Sequence, residues 1–99
     1  TVVYIICLDI RSEGPARDSV IAAVKTLGNW AGRFPDMLLL EPTQRLSAGQ
    51  IRDHLKQFLT EDDAVFVSRI TKNWAGRGMG PGFTEWMGRR EFGSFGSNS

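Results

Sequence analysis

The chain has little of what marks many function classes. It holds one cysteine and one histidine. A single thiol excludes an internal disulfide, and one histidine beside one cysteine excludes a zinc site or nucleophile dyad built on those ligands. Neither sign of charge dominates: twelve Lys and Arg face eleven Asp and Glu, for a net charge of +1. Composition therefore does not announce a nucleic-acid binder, and any anion-binding strip has to be local or assembled by an oligomer. Long hydrophobic runs are missing too. The longest, Val2 to Leu8, falls far short of the roughly 20 residues of a membrane helix. It lacks a basic lead and a small-residue cleavage site, so a signal peptide is not expected. Cys7 sits among β-branched residues, where a buried, inert thiol and a reducing cytoplasm are the expectation.

What is present describes a folded domain. Apolar residues make up 41% and charged residues 23% of 99 positions, close to an ordinary globular chain with one core. Val2 to Ile10 is β-branched and unbroken, a strand pattern that ends at Arg11-Ser12-Glu13-Gly14-Pro15. Pro15 suits a first helical turn, and Val20, Val24 and Leu27 then share one face. Gly28 reads as a left-handed cap closing that helix. A short strand is expected at about Trp30 to Phe34, a turn at Pro35-Asp36, and a strand over Met37 to Glu41. Ser47 and Gln50 form a capping box ahead of a stripe made by Ile51, Leu55, Phe58 and Leu59. Thr60-Glu61-Asp62-Asp63 ends that helix, and Ala64 to Ile70 is a further strand.

This β-α-β-β-α-β order predicts an α+β, ferredoxin-like domain over residues 1–75, with antiparallel sheet order 4-1-3-2 and both helices on one face. The strands are apolar on both sides: Tyr4, Ile6 and Leu8 point one way, Val3, Ile5 and Cys7 the other. An exposed second face should alternate with polar residues. It does not, so a covering partner is expected, and a second copy of the chain is the economical one. A charge at Val67 is expected to disrupt such a homodimer.

Residues 76–99 change character. Seven of the eleven glycines lie from Gly76 onward, mixed with Phe83, Trp86, Phe92 and Phe95. So many aromatics predict that this extension docks, through Trp74, Phe83 and Trp86, on its own subunit, on the second copy or on a protein partner. A short helix or turn is expected around Phe83 to Arg90, and an extended stretch from Gly93 to Ser99. The pentapeptide Asn-Trp-Ala-Gly-Arg occurs at 29–33 and again at 73–77. That offset does not match the spacing of the two β-α-β halves, so the copies are not equivalent positions of a duplication.

Among chemically active side chains Asp9 stands out, because a carboxylate ending an apolar strand must be solvated, hydrogen-bonded or bound to a cation. It either caps the turn and pairs with Arg11, or serves as a metal ligand or catalytic acid. Glu61, Asp62 and Asp63 fall at the same sheet end and either form a solvated turn or add to a cation site. His54 reads as a flank residue of the second helix. Arg11, Arg17, Arg33 and Arg77, joined by Arg69, Arg89 and Arg90, are candidates for a phosphate-facing strip in a dimer. The glycines from Gly76 to Gly82 lack the Gly-Lys-Ser/Thr ending of a phosphate loop.

Tyr4-Ile5-Ile6-Cys7-Leu8-Asp9-Ile10 is similar to the first-strand signature of the small CRISPR-associated adaptation proteins, the Cas-two family. Relatives of that family include VapD-type toxin ribonucleases and the small bacterial SinR-like proteins. The last group is the nearest in pattern, through Leu27-Gly28-Asn29-Trp30, Leu46-Ser47-Ala48-Gly49-Gln50-Ile51-Arg52 and Ile70-Thr71-Lys72-Asn73-Trp74-Ala75. The resemblance covers about residues 2 to 75. It implies a ferredoxin-like homodimer whose two Asp9 carboxylates face each other and share Mg²⁺, acting as an endonuclease on RNA or DNA phosphodiesters. Other family members are DNA-binding dimers that cleave nothing, and the resemblance implies that alternative equally. Two positions depart from the family pattern: Leu8 stands where a tyrosine is frequent, and Pro35-Asp36 where catalytic members carry a serine or threonine.

Overall fold

A computed structural model of the protein describes residues 2–92. The elements run β1 (Val3–Asp9), α1 (Ala16–Thr26), β2 (Gly28–Ala31), β3 (Met37–Pro42), α2 (Ala48–Lys56), β4 (Ala64–Ile70) and α3 (Pro81–Gly88). The four strands form one antiparallel sheet in the order β2-β3-β1-β4, which is 4-1-3-2 read from the other edge. The expected stretch from Gly93 to Ser99 lies outside the described residues.

Strand periodicity decides which residues meet. Directly opposite residues of antiparallel strands share a face. Ile6 stands against Leu38 and Val67, and these side chains join Tyr4, Leu8 and Leu40 beneath the two helices. Val20 and Val24 from α1 and Ile51 and Leu55 from α2 complete this core, each fully buried. Helix α2 starts where its capping box places it: the Ser47 hydroxyl accepts from the Gln50 N–H at 3.1 Å, and the Gln50 side chain accepts from the Ser47 N–H at 2.8 Å. The Tyr4 hydroxyl, whose ionisation burial disfavours, donates to the Leu46 carbonyl at 2.7 Å and ties β1 to the approach of α2.

The other face carries Val3, Ile5 and Cys7 of β1, Met37 and Leu39 of β3, and Phe66 and Ile70 of β4. Helix α3 covers one end of it. Met87 is buried against Val3 and Leu39, flanked by Phe83 and Trp86. Gly80 caps α3 with φ +84°, a left-handed value that favours glycine, and Pro81 sits in its first turn. At the end of α3, Arg90 reaches Glu41 of β3 at 2.7 Å and lies over the Trp86 ring at 4.3 Å. The Asn29 amide donates to the same Glu41 oxygen at 2.9 Å.

Four local expectations change. Gly28 is not a left-handed cap: Leu27 closes α1 in right-handed geometry, and Gly28 opens β2. Its reason is space, because a Cβ there would lie 2.1 Å from the Glu41 carbonyl oxygen. β2 accordingly falls earlier than Trp30 to Phe34, and Phe34 is an exposed turn residue. Val67 lies on the helix-covered face, so a charge there would damage the core rather than an interface. Cys7 is only half-buried, on the outer face. No helix among the described residues is long and apolar enough to cross a membrane.

Candidate functional site

Asp9 is the last residue of β1, opposite Ala64 of β4 and on the outer face. The strand ends there, so its carboxylate reaches water with 57% of the side chain exposed, and it meets the Arg11 guanidinium at 3.1 Å. Solvation and a cation partner remove the cost that an aspartate on an apolar strand would otherwise carry.

The neighbouring acidic turn is organised differently. Asp63 accepts five hydrogen bonds: from the backbone N–H groups of Arg11, Ser12 and Thr60 and from the hydroxyls of Ser12 and Thr60. These donors hold its carboxyl well below the usual carboxylate range, the Thr60 and Ser12 N–H groups first among them. A carboxylate offers about four lone-pair positions, so Asp63 is saturated as a clasp between the β1–α1 and α2–β4 loops. Glu61 and Asp62 beside it are exposed. The spacing of Thr60 and Asp63 was the available sequence signal, since Thr/Ser followed three residues later by an acid is a familiar local hydrogen-bonding pattern.

This clasp predicts a pH response. A group with a depressed folded value stabilises the fold above its unfolded value and loses that contribution as pH falls below about 3.9. Asp63→Asn is expected to lower the melting temperature at pH 7, with the gap to wild type narrowing steadily as pH falls from 4 to 2. Thermal melts across that range check it, and a gap independent of pH would refute the clasp.

The four nucleic-acid candidates have separate surroundings. Arg11 pairs with Asp9. Arg17 pairs with Asp36 at 2.6 Å and also donates to the Pro35 carbonyl, clamping the turn into β3. Arg33 donates to the Gly78 carbonyl at 3.2 Å, linking the end of the first pentapeptide copy to the residue just past the second. Arg77 borders a cleft on the outer face. Three of the four therefore have local partners. His54 is exposed, its ring edge-on to Phe58 at 6.3 Å.

Magnesium demands several oxygen ligands in octahedral geometry. In one chain Asp9 already faces Arg11 and the nearby Asp63 is saturated, which leaves the exposed Glu61 and Asp62 as the other carboxylates of that sheet end. Among the described residues no group of three or more His, Cys, Asp or Glu side chains comes together. The described residues of a single copy thus hold no preformed set of carboxylates for the ion.

Sequence reasoning missed the outer-face cleft, whose volume is about 390 Å³. It runs between the middle of the sheet and residues 74–79, and α3 closes one side. Its aromatic content was the visible signal, but only the fold shows that Phe34 and Trp74 border the same space. No family model matches the chain, and no curated protein or solved structure matches it either.

Proposed function

We propose that this chain is a ferredoxin-like binding module that acts as a homodimer and does not cleave its target. The observation that carries the reading is the half-covered outer face. α3 shields the Val3–Leu39 end, while the other end presents Phe66, 64% exposed, beside half-buried Cys7 and Met37. A large exposed aromatic on an apolar sheet surface is the composition of an interaction site. An isologous pairing suits it: each copy carries Asp9 and Arg11 next to the patch, so opposite charges are available on both sides of the axis. Pairing also doubles Arg11 and Arg77 around the shared surface, which supports binding of a nucleic-acid backbone by the dimer. A cytoplasmic setting accords with a single cysteine that can form no disulfide within the chain.

One observation favours a second reading, the Cas-two-like metal-dependent endonuclease. Asp9 lies on the same outer face as the open patch, so pairing there is the arrangement in which two copies could supply carboxylates to one cation. The test joins sedimentation at micromolar concentration with incubation of short RNA and DNA with Mg²⁺, Mn²⁺ or EDTA, wild type beside Asp9→Asn. The expected result is a dimer that retards nucleic acid and leaves it intact. A well-folded monomer refutes the proposal, and metal-dependent cleavage lost in Asp9→Asn replaces it with the nuclease reading.

A further inference from the structure

We propose that the outer-face cleft binds a small aromatic anion, a planar ring system carrying one carboxylate. This site goes beyond the dimer reading: it shares Met37 and Arg77 with the proposed pairing surface, but its floor and far wall lie within one subunit. The floor is sheet: Ile5 and Leu39 from neighbouring strands. Phe34, Trp74 and Phe83 border it, a composition that favours flat rings through stacking and edge contacts. Three methionines, Met37, Met79 and Met87, complete the border with polarizable sulfur that adapts to a ring edge. The volume, about 390 Å³, falls in the range of small-molecule pockets, roughly 300 to 1,000 Å³.

The segment forming the far wall is built for its position. Arg33 holds it through the Gly78 carbonyl. Gly78 and Gly80 take left-handed φ values of +73° and +84°, and a Cβ at Gly76 would lie 2.8 Å from Met79 Cγ. Arg77 supplies the charge. It is the sole charged side chain bordering the cleft among the described residues, and no carboxylate there neutralises it. Arg11, Arg17, Arg89 and Arg90 each have an acidic partner. An apolar space edged by one uncompensated guanidinium selects a ligand whose rings fill it and whose carboxylate meets Arg77 in a charge-assisted contact.

The probes are 2-naphthoate and its neutral analogue 2-naphthamide, titrated into the full chain carrying ¹³C-methyl methionine. Saturable shifts of the Met37, Met79 and Met87 methyls are expected with naphthoate at a Kd of about 0.1 to 1 mM, and the amide is expected to bind about tenfold more weakly. Arg77→Ala should reduce naphthoate to the level of the amide, and Arg77→Lys should restore most of the difference. Phe66→Asp, at a position that does not border the cleft, should keep saturable naphthoate shifts and the difference between acid and amide. The proposal is overturned by an absence of saturable shifts up to about 5 mM, by equal affinities for acid and amide in wild type, or by loss of binding in Phe66→Asp, which would move the ligand to the dimer patch.

Discussion

Arg90→Ala is expected to lower stability by about 2 to 3 kcal/mol and the melting temperature by roughly 10 °C. The pair it breaks is the best-shielded ionic contact described: the side chains of Arg90 and Glu41 are 11% and 14% exposed. Removing one partner of a buried pair leaves the other charge uncompensated at about 3 to 5 kcal/mol, and residual exposure reduces that here. Loss of the guanidinium from the Trp86 ring adds about 0.5 to 1 kcal/mol. Among the described residues the Arg90 Nε has no hydrogen-bond partner, which tempers what the native pair contributes.

The damage should be local first. α3 holds the sheet through Met87, Phe83, Trp86 and this ion pair, so its amides should exchange faster in the variant than those of β1 and α2. Glu41→Gln, which leaves the Arg90 charge without a counter-ion, should destabilise less. The double variant should cost less than the sum of the two singles, because the second change removes a charge already left unpaired. Additive costs would show that the two side chains do not act as a pair.

Parts of this architecture are legible in the sequence and parts are not, and range along the chain separates them. β1 and β4 announce themselves through β-branched apolar runs, β3 through an unbroken apolar run after the Pro35-Asp36 turn, and the Ser47–Gln50 box marks the start of α2, because those signals are local. The two-sided apolar pattern is equally readable, as is the need for a cover. What supplies part of that cover is not. α3 reaches Val3, Leu39 and Glu41 across most of the chain, and nothing near Arg90 in sequence names Glu41 as its partner. Gly28 shows the same limit. Glycine after a helix suggests a left-handed cap, whereas its role is set by the Glu41 carbonyl of a strand that comes later. Asp9 was legible as a carboxylate in an unusual place. That it ends in water against Arg11, beside an Asp63 fully used by the chain itself, required the loops to be placed.

Phe66→Asp is expected to convert the proposed dimer to a monomer and leave the fold intact. The side chain is 64% exposed, so the subunit core loses almost nothing when it changes. An aromatic anchor at an interface is worth about 2 kcal/mol or more. Two-fold symmetry removes it twice, so the dimer should lose about 4 kcal/mol, a roughly thousandfold rise in Kd. The introduced aspartate also comes near Asp9 on the same face, adding like charge on both sides of the axis. Val67→Asp is the matched control. Val67 stands opposite Ile6 and, partly buried, packs against the helix-covered core, so a charge there should lower the melting temperature by setting an unpaired carboxylate against apolar side chains. Sedimentation and thermal melts of the two variants separate the faces: dissociation without destabilisation at residue 66, destabilisation at residue 67. An undiminished dimer in Phe66→Asp would show that copies pair elsewhere, and the two Asp9 carboxylates would then have no reason to meet.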